Sequence, residues 1–315
     1  MPLSLNARAA AVVDQCLADR ETLKIGVSEV AGARVVDFGQ ASVGGLNAGS
    51  MLARICLADL GTVALRSGDF AGRPTAFLDV STDFPLEACL MSQYAGWQIA
   101  VGDFFAMGSG PLRAVATVEK LFGEFDFTES PEVGVLVLET ASDVTADVVD
   151  FVTQKSGIPR ESLTICVAPT ASLAGTIQVI ARSVETALHQ LHERDFDIRQ
   201  VVSACGSAPL PGVAKSDLDA IGRTNDAILY GGRAVLWVDT TDAQIESIGP
   251  LIPSSASPSH GQPFLSLFEA AGRDFYKLDP ALFSVAEIVF HNVRTGRAFH
   301  YGECVPDLVS QSTGF

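Results

Sequence analysis

Val133-Gly-Val-Leu-Val-Leu138, Ser142–Gly157 and Leu163-Thr-Ile-Cys-Val167 read as strand, helix and strand in unbroken succession. The first run is continuously apolar, as in a strand covered on both faces. Val144, Val148, Phe151 and Val152 follow helical spacing, and Gly157-Ile-Pro159 stops that helix. Towards the N-terminus, Asn6 is placed to cap a first helix ending near Asp19. Strand-like runs follow at Lys24–Val30 and Ala33–Phe38, then an apolar helix over Met51–Leu60. Thr62–Arg66, Thr75–Val80 and Trp97–Val101 read as strands, and Pro85 opens a helix through Tyr94. Towards the C-terminus, one long helix is expected from about Leu173 to Glu193, with strand character at Ile198–Ala204 and Ala227–Val238. Val285–Asn292 and Arg297–Gly302 flank Thr295-Gly296 as a hairpin. This alternation predicts an α/β (α+β layered) fold with two domains and a ligand pocket between them. The aperiodic, acidic Leu121–Glu132 is the linker candidate. It suggests an N-terminal α/β domain over 1–130 and a C-terminal one over 131–315, with segments free to exchange between them.

Composition narrows the function. Twenty-one basic residues against 37 acidic ones give a net charge of −16. Such a chain repels phosphate backbones and anionic membrane surfaces, so no nucleic-acid or membrane partner is expected, and its field favours a cationic ligand. Hydrophobic residues reach 48% and charged ones only 18%, a balance for a packed protein with apolar surface to spare for oligomerisation. The six cysteines form no CxxC and sit mostly in apolar runs, which reads as buried thiols in a reducing cytoplasm. The N-terminus carries no secretory pattern and no apolar run reaches a membrane-spanning length, so a cytoplasmic protein is expected.

Familiar cofactor motifs are missing. There is no GxxxxGK[ST], no GxSxG and no HExxH. Gly108-Ser-Gly110-Pro-Leu-Arg113 starts like a dinucleotide loop but ends in arginine. His189 and His192 have no companion ligands nearby in the sequence, so no metal is expected. Five polar or glycine-rich stretches do stand out: 81–85, 102–111, 168–172, 206–209 and 222–226. Most follow strand-like runs, where layered α/β proteins bind ligands, and together they suggest one shared pocket. In the long helix, Leu173, Ile177, Ile180, Val184, Leu188 and Leu191 form an apolar stripe. Gln178, Arg182, Glu185 and His189 form a second, polar one. Spacing alone makes Arg182 and Glu185 an i, i+3 pair on a solvated surface, contributing ~0–1 kcal/mol.

Asp103-Phe-Phe-Ala-Met-Gly-Ser-Gly-Pro111, Val167-Ala-Pro-Thr-Ala-Ser172, Ala181-Arg-Ser-Val-Glu-Thr186, Gly222-Arg-Thr-Asn-Asp-Ala-Ile-Leu-Tyr-Gly-Gly232 and Asp274-Phe-Tyr-Lys-Leu-Asp-Pro280 resemble the methenyltetrahydromethanopterin cyclohydrolase family. Thr82-Asp83-x-Pro85 and Ala95-Gly-Trp-Gln98 do so too, and the blocks run in family order along nearly the whole chain. The resemblance implies interconversion of 5,10-methenyltetrahydromethanopterin and its N5-formyl derivative in one-carbon metabolism, as in methylotrophy and formaldehyde oxidation. It implies no metal or redox cofactor, and a homo-oligomer, commonly a trimer. It assigns catalysis to Glu185 as acid and base, assisted by Arg182 of the ARxxE block. With a pterin as ligand, the substrate-binding candidates are Tyr94, Asp103, Ser109, Gly110, Thr170, Ser172, Arg223, Asn225 and Asp226. Tyr94 stands where archaeal members carry lysine, consistent with a different pterin tail. Two other readings are a non-catalytic pterin-binding or carrier protein and a cyclohydrolase for a related folate. Presence of both Arg182 and Glu185 favours the enzyme.

Overall fold

The computed structural model describes residues 3–117 and 119–313. They form two compact units, one over residues 3–61 and 87–178 and the other over 62–86 and 179–313. The first holds a six-stranded sheet in the order β1-β2-β8-β7-β6-β5. Its strands are β1 (Gly26–Val30), β2 (Ala33–Asp37), β5 (Trp97–Val101), β6 (Phe104–Ser109), β7 (Gly134–Glu139) and β8 (Leu163–Ala168). The central trio β2, β8 and β7 is parallel, and the outer pairings are antiparallel.

The opening triplet is thus the centre of this sheet. In β7, Leu136 and Leu138 pack with the Ala146–Ser156 helix, while Val135 and Val137 pack with Val12, Val13, Leu52 and Ile55 from helices Leu5–Ala18 and Leu46–Cys56. Two-sided cover explains why the strand has no polar alternation. Each such side chain, fully buried, contributes about 1.5–3 kcal/mol. The Ala146–Ser156 helix has the ends its sequence suggests. Thr145 accepts from the Val148 amide, and Gly157 closes it at φ 72°.

The second sheet runs β12-β11-β10-β9-β4-β3. Its members are β3 (Gly61–Phe70), β4 (Arg73–Thr82), β9 (Val201–Pro209), β10 (Arg233–Val238), β11 (Glu287–Asn292) and β12 (Ala298–Gly302). Only β10 and β11 pair in parallel among the registers described. The Ser183–His192 helix packs on one face, over Gly206. A Cβ there would come within 2.5 Å of Ser183 Oγ and 2.9 Å of Val184 Cγ2, so glycine permits the approach.

Several local expectations change. Ser4, not Asn6, caps the first helix; Asn6 is buried, donates to Pro111 O and Glu129, and accepts from Val135 N. Glu129 also takes the Ser4 hydroxyl and the Asn6 amide, so the expected linker packs inside the first unit. The 130/131 position likewise falls within that unit, where β6 pairs with β7 across it. The segments 102–111 and 206–209, expected as loops, lie largely in β6 and β9. The segment 222–226, also expected as a loop, is inside the Asp217–Gly231 helix, which also takes the start of the expected 227–238 strand. The long helix is two, Leu173–Ile180 and Ser183–His192. Between them the Arg182 amide bonds Val179 O, an i→i−3 contact that tightens the last turn, before Thr186 N resumes the ladder on Arg182 O. No proline or glycine marks the break, so the apolar stripe reads straight through it.

Candidate functional site

In the first unit, the carboxyl ends of the parallel strands gather polar groups. Asp37 ends β2, and its carboxylate accepts the backbone N–H groups of Gly39, Gln40, Ala41 and Ser42 at 2.6–2.9 Å. Burial would raise its pKa, but these four bonds outweigh that and hold it below the usual carboxylate range. Glu139 ends β7. It accepts the Thr170 hydroxyl on Oε1 and Gln178 Nε2 at 3.2 Å on Oε2. The Cys56 thiol donates to Gln178 Oε1 at 3.8 Å and lies 3.6 Å from Ser109 Oγ. Thr170 and Ser109, two of the expected binding residues, therefore share one buried polar network.

Gly110 follows Ser109 at φ 89°, a backbone state suited to glycine, and its amide bonds Ser92 O. The Ser172 hydroxyl donates to Pro169 O and accepts Gly175 N, which fixes the start of the Leu173–Ile180 helix. Tyr94 lies with its ring 5.1 Å from the guanidinium carbon of Arg113, a fully buried side chain that also pairs with Glu119 and donates to Ser92 O. Asp103 does not join this group. It is exposed in the β5–β6 turn, six residues before Ser109, or about 20 Å along an extended strand.

In the second unit, Arg182 and Glu185 are 7% and 5% exposed. The surface reading of this pair is thereby overturned. Because the helix restarts at Ser183, Glu185 sits in its first turn. There, the positive end of the helix dipole favours an anion. A continuous helix would have put Glu185 mid-ladder without that support. Gln178, of the same polar stripe, is also buried. His189 is half-buried, with Nε2 3.8 Å from Glu193.

The other three candidates have local structural partners. Arg223 Nη1 donates to Gly212 O at 3.1 Å, and Asn225 Nδ2 to Ile221 O of its own helix at 2.8 Å. Asp226 is 1% exposed and accepts Phe264 N at 2.8 Å. Burial pushes its pKa up to about 6, against the lowering effect of that amide and of Ser312.

The sequence reading missed Glu139, Asp37, Cys56 and Arg113. Glu139 had a signal: a lone acid closing a continuous apolar strand at its carboxyl end. Among the described residues, no three or more His, Cys, Asp or Glu side chains gather as a metal would need.

A family model described as Cyclohydrolase (MCH) matches residues 4–313. The chain belongs to this family. It is 46% identical over 315 residues to the methenyltetrahydromethanopterin cyclohydrolase of Methylobacterium organophilum, covering 98% of this chain and 97% of that one. It is 41% identical over 290 residues to the enzyme of that name from Rhodopirellula baltica, with 90% and 87% covered. It is 36% identical over 315 residues to that from Methanococcoides burtonii, with 99% and 98% covered. Membership in the cyclohydrolase family spans both units.

Proposed function

We propose that the protein is a hydrolase acting on a cyclic amidine, interconverting 5,10-methenyltetrahydromethanopterin plus water with N5-formyltetrahydromethanopterin. The observation that carries this reading is a buried carboxylate, Glu185, in the first turn of its helix, with the equally buried Arg182 three residues before it. The relatives' printed names supply the substrate.

The methenyl carbon bridges N5 and N10 and shares a positive charge, so it is already electrophilic. Glu185 takes a proton from water as the oxygen adds to that carbon. It returns the proton to N10 as the carbon–N10 bond breaks. The remaining hydroxyl proton leaves as the formyl carbonyl forms, so the net reaction releases one proton. General acid–base help of this kind contributes about 10²–10⁴-fold. Arg182 favours the ionised, oriented carboxylate.

The same reading makes the protein a cytoplasmic homo-oligomer, a trimer by family resemblance, serving one-carbon oxidation in methylotrophy. It uses no cofactor beyond the pterin substrate. The test is loss of the methenyl-pterin near-ultraviolet absorbance. Acceleration over buffer by the wild-type chain supports the reading, and no acceleration sinks it.

A further inference from the structure

β10 reads Arg233-Ala-Val-Leu-Trp-Val238, and β11 carries Ile288-Val-Phe290. Such continuous apolar runs belong to strands covered on both faces. Ala234, Leu236, Val238, Ile288 and Phe290 are indeed buried, on the face where the Ser183–His192 helix packs. The opposite face is different. Cross-strand pairing aligns Ser203–Trp237–His291 in one row, Cys205–Val235–Val289–His300 in the next, and Asp79–Ser207–Arg233–Glu287 in a third. Trp237 is 36% exposed, and Val235, Val289, Cys205 and His291 are only half-buried. The Asp217–Gly231 helix packs on the sheet at Phe77 and Pro209, beyond these rows. A tryptophan stacked on His291 at 5.4 Å is thus left exposed in the row next to Val235 and Val289.

The charges around this apolar surface are mostly paired. Arg66 pairs with Asp79 at 2.6 Å, and Arg233 with Glu287 at 2.6 Å, with His300 on the same carboxylate at 2.8 Å. Asp83, bonded to Ser203, is an added acid at the rim. The rows are therefore close to neutral on a chain of net charge −16. Two copies of so acidic a chain repel one another except across a face whose charges are already compensated. An exposed tryptophan beside half-buried valines, flanked by paired charges, is also the composition of an interface hot spot.

We infer that the Trp237–Val289 face of the second sheet is where a second copy of this chain docks. This names the surface for the proposed homo-oligomer and does not depend on the cyclohydrolase chemistry, because Arg182 and Glu185 belong to the helix on the other face. Equilibrium sedimentation at micromolar concentration tests it. The wild-type chain should give a multiple of 33.1 kDa. The double variant Trp237→Glu/Val289→Glu should fall to the single-chain mass with an unchanged far-ultraviolet spectrum, and Tyr276→Glu, exposed elsewhere, should keep the wild-type mass. A single-chain wild type overturns both the oligomer and the face. An oligomer whose mass the double variant leaves intact overturns the face alone. If the double variant does not fold, Cys205 decides. Its alkylation in the wild-type chain should slow at least tenfold from nanomolar to micromolar protein, and a rate independent of concentration overturns the proposal.

Discussion

Glu185 and Asp226 are both buried carboxylates of the second unit, yet their surroundings differ. Glu185 lies in the first turn of its helix, three residues from a buried arginine. Asp226 lies in the middle of a fifteen-residue helix, bonded to the Phe264 amide beside a cluster of Tyr230, Phe264 and Phe268. Burial pushes the Asp226 pKa up to about 6, whereas Glu185 has the positive end of a helix dipole beside it. Burial of an acid therefore does not by itself identify a functional site.

Four measurements would break or sharpen this contrast. The largest effect is expected from Glu185→Gln, which should lower turnover by about 10²–10⁴-fold while still binding substrate. Near wild-type turnover would remove Glu185 from the mechanism. Asp226→Asn should act on stability instead. Its carboxyl rises from 3.8 to about 6 on folding, so the folded chain holds a proton that the unfolded chain releases between those values. Stability contributed by Asp226 thus falls as pH climbs from about 4 to 6, by up to about 3 kcal/mol. Asparagine should remove that slope in denaturant titrations across this range and leave turnover close to wild type. A large loss of turnover would return Asp226 to the substrate.

Glu139→Gln should cost about 1–3 kcal/mol, because the new amide nitrogen cannot accept from both Thr170 and Gln178. Urea midpoints would read this, and an unchanged midpoint would show that the network contributes nothing. Asp103→Ala should be the smallest, within about 0.5 kcal/mol in stability and without change in KM. A raised KM would bring the β5–β6 turn back to the substrate.

The two sheets teach a related lesson. β7 and β10 are both apolar at nearly every position, and the sequence alone gives no reason to treat them differently. In β7 both faces are filled by helices of the same unit. In β10 one face keeps Trp237 exposed. Hydrophobicity records that a surface is to be covered, not which element covers it.

What the sequence determined by itself is the class of elements around Val133–Val167, the late hairpin at Thr295-Gly296, the acidic charge and the motif blocks that carry family resemblance. These are local or additive properties: periodicity, capping residues and composition act over a few residues at a time. Tertiary structure alone decided the break at Ala181-Arg182, the helical state of 222–226, the exposure of Asp103 and the meeting of Glu139 with Thr170 and Gln178. Each depends on groups brought together from distant parts of the chain. Glycine and polar residues at 206–209 and 222–226 looked like turns because their local propensities favour turns. Gly206 is instead needed under Ser183, and Gly222 under Leu265, whose Cβ would stand 2.9 Å from an added methyl. Close packing against another element overrides local preference, and that packing cannot be read from spacing.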